Sequence, residues 1–394
     1  MEKVNLTEQE VVELTGQKSP SFPIFRYRNG RDLSQSSRDV FIIDLESLGI
    51  DSVQTQFPKI YQHLYVNVKP VRDQNREKYR RENWWKFGRK HTDLRCANQD
   101  LQRYIATVKT AKHRFFVFLD GDIIPDSKLY AVGSDDPFHL GVLSSKAHVV
   151  WAMSVGGWLG VGNDSTYNNS QCFDQFPFPA PDESTEKRIA ELAERLDAHR
   201  KRQQEKNPKL TMTGMYNVLE KLRSGESLTT KDKTIHEQGI VSVLRQIHDD
   251  LDAAVFDAYG WPHDLDDEAI LQRLVDLNHE RAEEEDRGIV RWLRPEFQNP
   301  DGATQTSFAG DEETKPAKKV AAAKIQKQPW PKTLPERMVA VQSALGRHGG
   351  PADEKQVAAY YTRANKKQVT ELLETLATLG NVRQLDDGRF VAAN

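Results

Sequence analysis

The stretch QCFDQFPFPAP, residues 171–181, carries Pro177, Pro179 and Pro181. Proline removes a backbone donor and pushes the residue before it out of the helical region, so no helix or central strand runs through this stretch. The patterns on its two sides differ. Upstream lie short β-branched and aromatic runs, VFIIDLESL (40–48), RYIATV (103–108), RFFVFLD (114–120) and KLYAVG (128–133). They end at turn formers such as Asp120-Gly121-Asp122 and Pro125-Asp126-Ser127, which is the signature of strands. One upstream segment changes period: in 138–157, Leu140, Leu143, Ala147, Val150, Trp151 and Ser154 fit one helical face, closed by Gly156-Gly157.

Downstream, from Ser184, the period is helical throughout. Ile189, Leu192, Ala193 and Leu196 form an apolar stripe among Arg, Lys and Glu. Further helices are expected at about 212–223, 231–258 and 267–286, with a turn in YGWPHDL (259–265). Residues 301 to about 329 are poor in core formers and read as a linker. The last 60 residues predict three helices, the third carrying Val369, Leu372, Leu373, Leu376 and Leu379 on one side. Two short strands around Asp387-Gly388 follow, and three helices plus a hairpin is the order of a winged helix.

Composition narrows the class. The chain of 394 residues is 38% hydrophobic and 29% charged, so it has material for two or three cores and is not a disordered polyelectrolyte. Cys96 and Cys172 are its two cysteines, which argues against a disulfide framework or a structural zinc site. No apolar run reaches membrane-spanning length and MEKVNLTEQE is unlike a signal peptide, so a soluble, cytoplasmic protein is expected. The net charge of -3 conceals an asymmetry. Residues 61–115 hold 14 Lys/Arg against 5 Asp/Glu, and the balancing acids lie mostly between Asp249 and Asp286. That is the form of an electrostatic footprint for a phosphate backbone, and equally of a solvated face.

The centre of this footprint is YRRENWWKFGRKH, residues 79–91. Arg72, Arg76, Lys78, Arg80, Arg81, Lys86, Arg89 and Lys90 are spaced to meet successive phosphates. Gln74, Asn75 and Asn83 lie among them, and amides can read adenine edges. The candidate DNA-contacting set is therefore Arg72, Gln74, Asn75, Arg76, Arg80, Arg81, Asn83, Lys86, Arg89 and Lys90. Within it, Arg76, Arg80, Arg81 and Lys86 are expected on phosphates. Trp84 and Trp85 are expected to fasten the segment to the fold, one in the core and one shared with the surface.

Complete catalytic constellations are not found. GGWLGVGND (156–164) has no preceding strand or β-α-β frame, so it reads as a turn-rich loop rather than a dinucleotide cradle. The carboxylates of LDGD and SDD sit at turns, without a third ligand for a metal. His113 is expected as a polar partner of the sheet. No catalytic, cofactor-binding or metal-binding residue is assigned.

Several long blocks, NGRDLSQSSRDVFIIDL (29–45), VKPVRDQNREKYRRENWWKFG (68–88), RYIATVKTAKHRFFVFLDGDIIPDSKLYAVGSDD (103–136), HLGVLSSKAHVVWAM (139–153) and YNNSQCFDQFPFP (167–179), resemble a known family. It is the carboxy-terminal half of class I S-adenosylmethionine-dependent adenine-N6 DNA methyltransferases of restriction and phage-defence systems, including fused enzymes of the MmeI type. The resemblance runs from about residue 25 to 300. It implies a mixed α/β target-recognition domain (1–180) followed by a helical domain (181–300); with the flexible linker (301–333) and the winged-helix-like domain (334–394), which lie outside the resemblance and rest on their pattern alone, the expected fold class is α+β. It places Asn29, Gly30, Arg31 and Asp32 near the junction with a catalytic domain.

The family's catalytic signature is an Asn-Pro-Pro-aromatic loop with an upstream glycine-bearing cofactor motif, and this sequence contains neither. The resemblance therefore implies a specificity portion, with S-adenosylmethionine bound by a catalytic partner rather than by this chain. Expected partners are double-stranded DNA, that amino-terminal methyltransferase chain or domain, and other defence-system subunits. The competing expectations are a winged-helix DNA-binding regulator without enzymatic activity, and a structural subunit whose basic segment meets an acidic protein.

Overall fold

The computed structural model describes residues 5–159, 164–299, 328–331, 334–348, 352–362, 364–378, 382–384 and 389–392. They fall into two compact units divided near residue 307. The expected linker from 301 to 327, Leu379 and the Asp387-Gly388 turn lie outside the described residues.

The first unit is built on three small sheets. One orders its strands Asn5–Leu6, Val40–Ile43, Ile24–Arg28, Ile123–Pro125. All its pairings are antiparallel except the last, where Tyr27 lies opposite Ile124 in a parallel ladder. The second places Arg103–Val108 between Phe116–Asp120 and Leu129–Val132, antiparallel on both sides. The third is Thr110–Ala111, Asp164–Thr166, Gly157–Leu159.

Two cores support these sheets. The smaller collects Leu6, Val11, Ile24, Ile43, Leu45, Val53, Ile60, Leu64, Val68 and Trp84 under the first sheet. The larger runs from Tyr104 and Val108 on the second sheet through Val142 and Trp151 to Leu196, Met215, Leu244, Val255 and Leu274. Those last residues belong to the helices Glu183–Lys206, Met212–Ser224, Val241–Tyr259 and Asp267–Asp286. The proline-rich stretch thus marks where strands give way to helices, while the core continues across it.

Buried polar groups tie the same two parts together. Arg200, 1% exposed, donates to the carbonyl of Phe116 at 2.7 Å and to the Tyr216 hydroxyl at 3.0 Å. Tyr216 in turn meets His248 Nε2 at 2.9 Å, and Asp197 accepts the Phe118 N–H at 3.3 Å. Each of these polar groups therefore has a partner on a second element, as low-dielectric burial demands.

Two expected helices are each divided. Residues 138–157 form Pro137–Ser144 and Lys146–Val155, because Ser145 is extended (φ -77°, ψ 161°) and returns its hydroxyl to the Val142 carbonyl at 2.7 Å. Residues 231–258 form Thr230–Gly239 and Val241–Tyr259, with Ile240 left-handed at φ 43°. There the freed carbonyls of Gln238 and Gly239 accept from Asn207 and His199 on the neighbouring helix and the residue that caps it, so the break is satisfied by side chains.

The second unit has helices Leu334–His348, Glu354–Ala359 and Lys366–Thr378, then the antiparallel pair Val382–Gln384 and Phe390–Ala392. Val341, Leu345, Val357, Val369, Leu372, Leu373 and Leu376 fill its core. Residues 328–331, on the linker side of the boundary read from sequence, belong to this unit. Gln328–Pro329 pairs in parallel with Tyr361–Thr362, and Trp330 meets the Tyr361 ring edge-on at 5.2 Å. The chain as a whole is α+β, as expected.

Candidate nucleic-acid interface

The basic segment is a chain of short helices, Pro58–Asn67, Lys69–Asp73 and Lys78–Glu82, anchored to the smaller core. Pro58 and Pro70 set helical starts, and each piece is too short to stand without its tertiary anchor. Trp84 supplies that anchor: it is 7% exposed and packs edge-on against Tyr61, Tyr65 and Trp85 at 5.8–6.0 Å. Trp85 is half-buried and donates its indole N–H to the Leu48 carbonyl at 3.1 Å. The division of labour between the two indoles follows the expectation.

The candidate cations split into two sets. Arg81 spends one guanidinium nitrogen on the carbonyls of Asn75 and Arg76, at 2.8 and 2.9 Å, closing the turn between two helices. Lys86 donates to the Glu46 carbonyl at 2.9 Å and lies over the Trp85 ring at 5.7 Å. Arg80 pairs with Glu77 at 2.8 Å and packs so closely on Gly88 that a Cβ there would fall 2.8 Å from its Nε. Lys90 lies 3.8 Å from Glu46. By contrast, the guanidinium groups of Arg76 and Arg89 are exposed and make no hydrogen bond or ion pair among the described residues.

The amides divide in the same way. Asn83 donates to the Tyr79 carbonyl at 3.1 Å and Asn75 accepts from the Glu77 N–H at 2.9 Å, whereas the exposed Gln74 side chain has no such engagement among the described residues. Arg72 lines a crevice of about 40 Å³ with His63, Trp84, Trp85 and Lys86. That volume holds a water molecule or two and no nucleobase. Tyr65, Val66, Val71 and Tyr79 add exposed apolar surface around the cations, from 36% to 59%.

A second exposed feature lies in GGWLGVGND, for which a turn-rich loop is the expectation. Gly157–Leu159 and Asp164–Thr166 form an antiparallel ribbon, with Trp158 opposite Ser165. Gly157, Trp158 and Leu159 are all exposed, Trp158 at 47% and Leu159 at 54%. Successive strand residues point to opposite faces, so both faces of the edge strand Gly157–Leu159 are bare, while its partner strand is held by Thr110–Ala111 and buries Ser165. Gly156 makes its root: a Cβ there would lie 2.5 Å from the Ala152 carbonyl and 2.6 Å from that of Thr166. The apolar strand residues beside turn-forming glycines were the available signal.

Other residues singled out earlier have structural roles. Asn29 caps the short helix Gly30–Ser34, and Asp32 accepts from the Asn29 N–H at 2.8 Å and bidentately from Arg38 at 2.8 and 2.7 Å. Burial works against the charged form of Asp32, but Arg38 and the two backbone donors hold its carboxyl below the usual range. Gly30 sits where a Cβ would meet Val108 at 2.9 Å, so NGRDL is the contact between the short helix and the second sheet. Asp120 and Asp122 both bind Arg26, at 2.7 and 2.9 Å. His113 meets Asn217 at 2.8 Å, a partner on a helix and not on the sheet as expected. No metal-binding cluster and no membrane-crossing helix occur among the described residues.

The first unit thus carries two exposed surfaces, one cationic and one apolar, on an α+β body. Residues 4–180 match the family described as MmeI, target recognition domain. The chain is also similar to the solved structure of the Type IIL restriction–modification enzyme MmeI in complex with DNA, at 20% identity and a TM-score of 0.53. That likeness covers 71% of this chain and 34% of the enzyme's chain. No curated protein matches.

Proposed function

We propose that this chain is the DNA target-recognition portion of a site-specific adenine-N6 methyltransferase, acting in the cytoplasm in a restriction–modification or phage-defence setting. The match of residues 4–180 to a target-recognition domain carries the proposal. The chain spans about a third of the MmeI enzyme's length, and its sequence lacks an Asn-Pro-Pro-aromatic loop. The amino-terminal partner is assigned the methyl donor, S-adenosylmethionine, and the pocket for the flipped adenine.

In this reading the exposed cations Arg76 and Arg89 meet phosphates and set position, while sequence choice falls to side chains that reach base edges. Gln74 is the candidate amide left disengaged for that purpose. The exposed edge strand Gly157–Leu159 is the second reader, because an edge strand can be offered to the major groove and Trp158 presents a stacking face. The carboxy-terminal unit has the element order of a winged helix, and its assigned role is docking onto DNA or a further subunit.

The test is methylation mapping of adenine with the catalytic partner alone and with this chain added. Methylation of one sequence motif that depends on this chain supports the proposal. A motif that is methylated identically in its absence removes it.

A further inference from the structure

Beneath the ribbon lies a buried cation with no acid beside it. Arg114 is 5% exposed, and no carboxylate pairs with it among the described residues. Its Nη1 donates to the Thr107 hydroxyl at 3.2 Å and to the Val108 carbonyl. Its Nη2 donates to the carbonyl and the hydroxyl of Ser165, at 3.1 and 3.0 Å. The guanidinium also lies 5.1 Å from the centre of the Tyr167 ring, whose hydroxyl meets His148 Nε2 at 3.0 Å.

One end of this fork holds the strand Arg103–Val108 in the middle of the second sheet, and the other holds Ser165, which pairs with Trp158 on the exposed strand. Burial lowers the Arg114 pKa to about 10, so the group stays charged at neutral pH. A buried charge satisfied only by neutral acceptors is costly, and an apolar residue of similar volume would avoid that cost. What the arginine uniquely supplies is geometry. A planar fork reaches acceptors on two strands at once, which a lysine ammonium cannot reproduce.

We propose that Arg114 is the positioning residue of the strand pair Gly157–Leu159 and Asp164–Thr166, fixing the aim of Trp158 and Leu159 toward DNA through Ser165. The inference rests on the reading of the chain as a DNA target-recognition module. It assigns Arg114 no contact with DNA: the residue acts on specificity through the strand it holds.

The experiment uses the full chain with Arg114→Gln, Arg114→Lys and Ser165→Ala. A random-sequence duplex pool first selects the preferred site of the wild type, and each variant is then titrated on that site and on a scrambled duplex. Hydrogen exchange of the 157–166 amides is followed in parallel. For Arg114→Gln, we expect affinity for the scrambled duplex to stay within about twofold, while preference for the selected site falls roughly tenfold, the loss of about one base-edge contact. Ribbon amides should exchange faster while those of Arg103–Val108 stay protected, and Arg114→Lys should not restore the preference.

If the Arg114 variants fail to fold, Ser165→Ala, which removes one acceptor of the fork, carries the same readouts with a smaller loss of preference. Folded variants with unchanged preference and unchanged ribbon exchange overturn the proposal. So does an equal loss on both duplexes. A wild type that selects no site defeats the DNA reading itself, and the exchange arm still decides whether Arg114 holds the ribbon.

Discussion

The first unit contains two regions that handle their arginines in opposite ways. In the basic segment, the arginines and lysines sit at the surface of a small core, and most of them are occupied in holding local carbonyls or nearby acids. In the large core, Arg114 and Arg200 are fully enclosed and bridge elements far apart in sequence. The difference teaches that positive charge in this chain has two uses. At the surface it leaves the guanidinium groups of Arg76 and Arg89 exposed, and inside it fastens the strand Asp164–Thr166 and a helical array to one sheet.

The largest effect should come from cutting the large core. A chain ending at Pro181 leaves Tyr104, Val142 and Trp151 without the helices that cover them, and removes Arg200. We expect no cooperative thermal transition from that fragment, by circular dichroism, because the matched domain shares its core with residues beyond 180. A sharp melt near that of the full chain would show that the two parts are energetically separate.

In the small core the expected single-site loss is about 3–5 kcal/mol for Trp84→Ala, the range for removing a buried aromatic. Chemical denaturation measures it. Trp85→Phe, which removes the indole donor to Leu48 and part of a half-buried ring, should cost less, about 1–2 kcal/mol. Equal losses for the two would mean that the small core does not depend on Trp84.

Acid should distinguish the two regions next. His148 and His248 are buried in the large unit's interior, and burial lowers both, His148 to about 3 and His248 well below its usual 6.5. The folded state therefore keeps them neutral while the unfolded chain takes up protons below pH 6.5. Their contribution is complete above pH 6.5 and is lost as pH falls from 6.5 toward 3. Each histidine steepens that decline by about 1.4 kcal/mol per pH unit. His148→Gln should flatten the acid limb by about that slope, and an unchanged slope would show that the ring is solvated in the folded protein.

The smallest effects separate the surface cations. Arg81→Ala should cost about 1–2 kcal/mol of stability, since it leaves two carbonyls without their donor. Arg76→Ala should leave the melting temperature unchanged and lower the log–log salt slope of DNA binding by about 0.9. If Arg76→Ala binds DNA like the wild type at every salt concentration, the exposed set is only a solvated face.

Local pattern made much of this fold readable. The strand Arg103–Val108 and the helix Asp267–Asp286 fall where alternation and helical period place them, and Ile189, Leu192, Ala193 and Leu196 are all buried. Ser145 and Ile240 were not readable as breaks, because an apolar stripe continues through both and partners on another element complete each interruption, Asp252 accepting the Lys146 N–H and His199 meeting the Gly239 carbonyl. The parallel pairing of Ile24–Arg28 with Ile123–Pro125 joins segments about a hundred residues apart, which no local period encodes.

The candidate interface divides similarly. Charge spacing located the cationic segment, yet Arg81 and Lys86 bond to backbone carbonyls, which every residue has and no sequence distinguishes. Arg114 stood in a strand-like run as one more cation, and its role exists only because Ser165 is folded beside it.

The most direct test of the account is selection from a random duplex pool by the full chain, followed by titration of the selected duplex and a scrambled one across a range of salt. The account predicts enrichment of a single motif, bound at least roughly tenfold more tightly than the scrambled duplex at near-physiological salt. Both affinities should fall as salt rises, since phosphate contacts are common to the two. Absence of any enriched motif, with equal binding of both duplexes at every salt concentration, would contradict it.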